Sequence, residues 1–158
     1  MERLKRVTPV PPSLAMSFGG ASSLYRRAMV HQCRIGQAVA FLAGDEPLAL
    51  AMLDTRRNRR AELAIRFRPA ARQHMRALIR EAQLTLPAFV QARILVFARI
   101  SPRNLRGQRM ARIAGFRPGG FSDPAIWLWK GPGHERNLWR RGCEATGRTG
   151  AARPAGGE

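Results

Sequence analysis

The sequence predicts an α+β (α/β) fold, a mixed and mostly antiparallel central sheet flanked by helices. Three observations predict it. Residues 37–67 hold three short apolar or alternating runs divided by turn residues. Residues 72–84 carry a single apolar stripe at helical spacing. Residues 94–98 (ILVFA) are continuously apolar, so 62–98 reads as one strand–helix–strand (βαβ) unit.

The elements follow in order. Residues 1–21 read as an irregular lead-in, rich in Pro and Gly. Residues 23–33 read as a helix with Leu24, Ala28 and either Val30 or His31 turned inward, and Arg26 and Arg27 outward. Runs 37–42 and 48–53 flank a loop at 43–46 with Gly44-Asp45 inside it, a hairpin signal. Arg56, Arg57, Arg59 and Arg60 form a basic connection around Asn58, and 62–67 is the third strand. Pro69 ends that strand.

Met75, Leu78, Ile79 and Ala82 then fall at i, i+3, i+4 and i+7, while Arg72, Arg76 and Arg80 share another face. Pro87 is expected to stop this helix. Run 94–98 is expected to be a strand buried on both faces. Ser101-Pro102-Arg103-Asn104 signals a second helix, with Leu105, Met110, Ile113 and Ala114 in helical register and Gly115 at its C′ position. Residues 125–130 read as a last strand, with Trp127 and Trp129 expected on opposite faces. Residues 22–130 form one domain, and 131–158 read as a flexible tail in which only Leu138 and Trp139 have apolar bulk.

Size and composition agree with one globular domain. The chain has 158 residues, 45% hydrophobic and 24% charged, enough to bury a core without metal or disulfide. The charge is the unusual number. Lys plus Arg is 28 against 10 Asp plus Glu, a net of +18, and all but Lys5 and Lys130 of the cations are arginine. Genome composition would account for arginine replacing lysine; a polyanionic partner would account for the shortage of carboxylates. Cys33 and Cys143 form no CxxC or Cys/His cluster, so no metal site is expected. The prolines after Met1 interrupt any signal-peptide core, and no apolar run reaches membrane-spanning length. A cytoplasmic, non-membrane protein is the expectation.

Two stretches can carry chemistry. At 67–77 a strand runs into a helix, which aims unpaired N–H groups at one spot and attracts phosphate. Arg72 and Arg76 reinforce it; the plainer reading is a solvated basic helix start. At 104–116 a capped amphipathic helix ends in Gly-Phe, and Asn104 there can be simply its N-cap.

Together these stretches resemble the GNAT acetyltransferase superfamily. Phe67, Pro69, Arg72 and Ala77 match its phosphate-binding segment, V-x-P-x-x-R-G-x-G-x-A/G. Asn104, Gly107, Met110, Gly115 and Phe116 match the helix that follows the buried strand. The resemblance covers roughly 22–130. Gln73 and Met75 replace both loop glycines, and Ala111 stands where a general-acid tyrosine is common. The only tyrosine is Tyr25.

The resemblance implies acetyl-CoA held between two splayed strands. Its cofactor-binding residues would be Phe67, Arg72, Gln73, His74, Met75, Arg76, Ala77 and Asn104, with the pyrophosphate over 73–77. A primary amine would attack the thioester directly, with Glu62 as its base. Glu62 can equally be an ion-pair partner for a nearby arginine.

Two other readings stay open. One is a GNAT-like module that binds without catalysing. The other is an arginine-rich nucleic-acid-binding protein. Residues 108–116 look superficially like the start of a helix-turn-helix, but Arg117-Pro118-Gly119-Gly120 cannot begin a recognition helix. The acceptor, the general acid and the oligomeric state are not legible.

Overall fold

Gly44-Asp45 sets the register of the sheet. Gly44 has φ +57°, the left-handed backbone that a two-residue hairpin turn asks of a glycine. Strands β2 (Gln37–Ala43) and β3 (Glu46–Arg56) pair antiparallel from Ala43↔Glu46 to Gln37↔Leu53, with a bulge between Phe41 and Leu42. Strand β4 (Arg60–Phe67) returns antiparallel along β3, completing the predicted meander. The computed structural model describes residues 4–56 and 59–131. Arg57, Asn58 and the tail beyond Gly131, including Leu138 and Trp139, lie outside the described residues.

The lead-in is not irregular. Strand β1 (Lys5–Val7) pairs antiparallel on the β2 edge, and helix α1 (Pro12–Ser17) follows. Pro12 occupies the first helical position, where its missing N–H costs nothing. Helix α2 (Ser23–Ile35) begins at the Ser22 cap. Its inward residue is Met29, with Val30 and Cys33 packed beside it; Leu24 is exposed. Val30 packs inward and Arg26 and Arg27 are exposed as expected, while Leu24 fails and Met29 replaces it, because the stripe of a helix this polar is weakly marked by single apolar residues.

After β4 comes a 3₁₀ turn (Pro69–Arg72), then helix α3 (Met75–Gln91). The helix therefore starts later than Arg72 and runs through Pro87. Proline removes one ladder bond there. Leu86 is buried and Phe89 packs against the same core, so tertiary contacts carry the helix past the break. It closes with Arg93 at φ +59°, as Ile94 N–H donates to the Phe89 carbonyl at 2.8 Å.

Strand β5 (Leu95–Arg99) lies parallel to β4, as the βαβ reading requires. Only one face of β5 is deeply buried. Val96 is inaccessible while Leu95 is 39% exposed, so the both-faces expectation fails. Helix α4 (Leu105–Ala114) is capped by Asn104, whose side-chain oxygen accepts from Gly107 N–H at 2.9 Å. Gly115 ends it at φ +106°. Strands β6 (Phe116–Pro118) and β7 (Ile126–Trp129) complete a seven-stranded sheet in the order β1-β2-β3-β4-β5-β7-β6. Among these neighbours only β4–β5 is parallel.

Trp127 and Trp129 do not point to opposite faces. Residues two apart in a strand share a face, and both indoles are buried in one core cluster with Leu53, Val96 and Phe116. Trp129 donates Nε1–H to the Ala114 carbonyl at 3.0 Å, fastening β7 to the end of α4. Helices α3 and α4 cover this face of the sheet. On the other, Ala15 of α1 and Met29 of α2 pack on Ala40, Leu42, Leu50 and Met52.

A basic cleft between diverging strands

Strands β4 and β5 stay together for three rungs: Arg60↔Leu95, Ala61↔Val96 and Glu62↔Phe97. Then they part. β4 continues to Phe67 on the arm of β3, while β5 turns to pair with β7 through Phe97↔Leu128, Ala98↔Trp127 and Arg99↔Ile126. From Leu63 onward the β5-side edge of β4 has no strand partner among the described residues. The gap is a cleft of about 800 Å³, lined by β4 from Glu62 to Phe67, by Ala98 and Arg99 of β5, by the first half of α3 and by one side of α4 along its length.

The topology explains what gathers there. Each parallel strand feeds a helix on the same face, so α3 and α4 both open at the wide end of the gap. In α3 the first ladder bond runs from Leu78 N–H to the His74 carbonyl at 3.0 Å. The N–H groups of Met75, Arg76 and Ala77 therefore precede the ladder. Those of Gln73 and His74 do not serve the gap: they donate to the Ala70 and Ala71 carbonyls. The N–H array expected over 73–77 is thus narrowed to 75–77.

The predicted residues divide. Phe67, Arg72, Met75 and Asn104 line the cleft; Gln73, His74, Arg76 and Ala77 are not part of its wall. Asn104 is engaged as the cap of α4. The lost glycines are conformationally harmless, since Gln73 sits at φ −74°, ψ −24° and no positive φ occurs between 60 and 92 among non-glycine residues. Met75 is half-buried and forms wall without filling the gap.

Glu62 stands at the narrow end, on the last paired rung. Its Oε1 is 3.5 Å from Arg99 Nε, and Arg99 also approaches Asp123 at 3.8 Å. The ion-pair reading of Glu62 is therefore present in the structure. Ala111, at the tyrosine position, is buried beside the cleft and brings no acid. Cys33 lies on α2, and burial pushes its thiol up from the usual cysteine value, away from thiolate chemistry.

Sequence reasoning missed most of the cations. Arg66, Arg68, Arg99, Arg106 and Arg109 join Arg72 in the wall, against the single carboxylate of Glu62. The i, i+2 spacing of Arg66 and Arg68 and the i, i+3 spacing of Arg106 and Arg109 were available as signals. Their convergence depends on the strand topology. A low-dielectric groove lined this way concentrates anions.

Solved structures with this architecture are numerous. An acetyltransferase from Bacillus subtilis in complex with CoA superposes with TM-score 0.57 at 10% identity, over 80% of this chain and 94% of that one. A putative GNAT-family acetyltransferase from Desulfovibrio desulfuricans gives 0.55 at 16%, over 79% and 93%. The chain has the GNAT fold. An aminoglycoside acetyltransferase in complex with coenzyme A gives 0.53 at 13%, over 80% and 91%. No protein-family model and no curated protein matches the sequence. In this GNAT fold no group of three His, Cys, Asp or Glu side chains that could hold a metal occurs among the described residues. No helix among them is long and apolar enough to cross a membrane.

Proposed function

We propose that the cleft binds acetyl-CoA and that the chain transfers the acetyl group to a primary amine. The parting of β4 and β5 after Glu62 carries this reading. It leaves an open strand edge for an extended, amide-bearing arm, and it leads to a cation-rich mouth for phosphates. The neighbours solved with CoA have the same fold. In this reading Arg72, Arg106 and the Met75 N–H at the start of α3 hold the pyrophosphate. The thioester lies toward Glu62.

Transfer then needs few groups. The amine nitrogen attacks the thioester carbonyl, a C–N bond forms and the C–S bond breaks. Glu62 takes a proton from the attacking amine and passes it to solvent. The departing thiolate takes its proton from water, since Ala111 offers none. Six arginines in the wall disfavour a polycationic acceptor and favour one carrying an acidic or phosphate group.

A second reading is a GNAT-fold module that binds CoA without turnover. The Glu62–Arg99 pair and Ala111 favour it. Calorimetry with acetyl-CoA, followed by product detection across amines of differing charge, separates the two. Binding with product supports the transferase. Binding without product for any amine supports the module. No binding at millimolar acetyl-CoA overturns both.

A further inference from the structure

Beneath α3 lies a second volume, about 330 Å³, between the helix and the sheet face formed by β2, β3 and β4. It exists because small residues face each other: Ala49 and Ala51 on β3, and Ala82 on α3. Interiors normally close such space. Here the walls are almost wholly apolar, so water is poorly held. The space is more than twice the roughly 150 Å³ engineered cavity that takes up benzene, and it falls in the range of ligand pockets. The Arg6–Glu81 ion pair bridges β1 and α3 at its edge.

Its position gives it meaning. Leu63 and Ile65 of β4, Met75, Ile79 and Ala82 of α3 and Met110 of α4 line both this cavity and the cleft. The two spaces share a wall, and two of its members are methionines, which have three rotatable bonds and yield readily. Leu63 adjoins Glu62, at the narrow end where the thioester is placed.

We infer that the donor site continues through this wall, and that the chain takes a medium-length apolar acyl-CoA, such as an octanoyl ester, in preference to acetyl-CoA. The inference rests on the reading that the cleft holds a CoA thioester. It replaces only the acyl group. The alkyl chain would leave the thioester, pass Leu63 between Ala82 and Met110, and occupy the cavity. Each methylene moved out of water contributes to affinity.

Calorimetry on the full chain with acetyl-, hexanoyl- and octanoyl-CoA tests this. The expected result is octanoyl-CoA binding at least about tenfold more tightly than acetyl-CoA. Ala51→Leu, which fills the cavity from β3, should collapse that ratio toward one. Ala49→Val is a second filling variant should the first fail to fold. Equal affinity for all three esters overturns the acyl-chain pocket and leaves the acetyl-CoA reading standing. Binding of none at millimolar concentration overturns both.

Discussion

Glu62 and Arg99 meet at the point where the sheet divides, Oε1 to Nε 3.5 Å, with Glu62 on the last rung of the β4–β5 ladder. The pair fixes a carboxylate at the apex of the gap. Glu62→Gln keeps the shape of the side chain and removes its ability to take a proton. The expected outcome is a loss of transfer rate of roughly 10²–10⁴-fold. CoA affinity, measured by calorimetry, should stay within about twofold, because neutralising an apex group removes no phosphate contact.

The arginines at the mouth should act on binding. Arg72→Ala and Arg106→Ala are each expected to weaken CoA by about tenfold, the scale of one hydrogen bond to a charged group. The double variant should also flatten the dependence of affinity on salt, since two screened cation–phosphate pairs are gone. Titrations at two ionic strengths read both effects.

Asn104 caps α4 and also stands in the cleft wall, and two substitutions separate these roles. Asn104→Ala should lower stability by about 1 kcal/mol, read as a lower urea midpoint. Asn104→Asp keeps the cap and places a second carboxylate among the arginines. Its stability should be retained while CoA affinity falls several-fold.

Pro87 sits inside α3 without an N–H to donate to the carbonyl of Gln83. Pro87→Ala restores that bond and removes the ring's clash with the preceding turn. Stability should rise by about 1–3 kcal/mol. A higher urea midpoint with an unchanged slope is the expected record.

What could be read in advance was local. Gly44-Asp45 declared the hairpin, the 3.6-residue spacing from Met75 declared α3, and Asn104 with Gly115 marked both ends of α4. What could not be read was set by pairing across distant segments. Lys5–Val7 is too short to look like a strand until the β2 edge is there to receive it. Nothing near Pro87 reveals that Leu86 and Phe89 find a core strong enough to extend the helix. The same holds for the site. Arg72 and Met75 were named because they stand in one turn and Glu62 because the family resemblance implies a carboxylate in that strand, whereas Arg99, Arg106 and Arg109 reach the cleft only because β5 runs beside β4.

The 3₁₀ turn ahead of α3 has a thermodynamic corollary. A glycine-rich phosphate loop surrenders main-chain freedom when it wraps an anion. Here Pro69 and the bonds from Gln73 and His74 to Ala70 and Ala71 have frozen the turn in its helical well before any anion arrives. Under the proposed function, this turn is a rigid abutment beside the phosphate site, where a glycine-rich loop would be a pliable clasp. That ordering entropy is lost once, when the chain folds, and is not lost again at each encounter with a ligand.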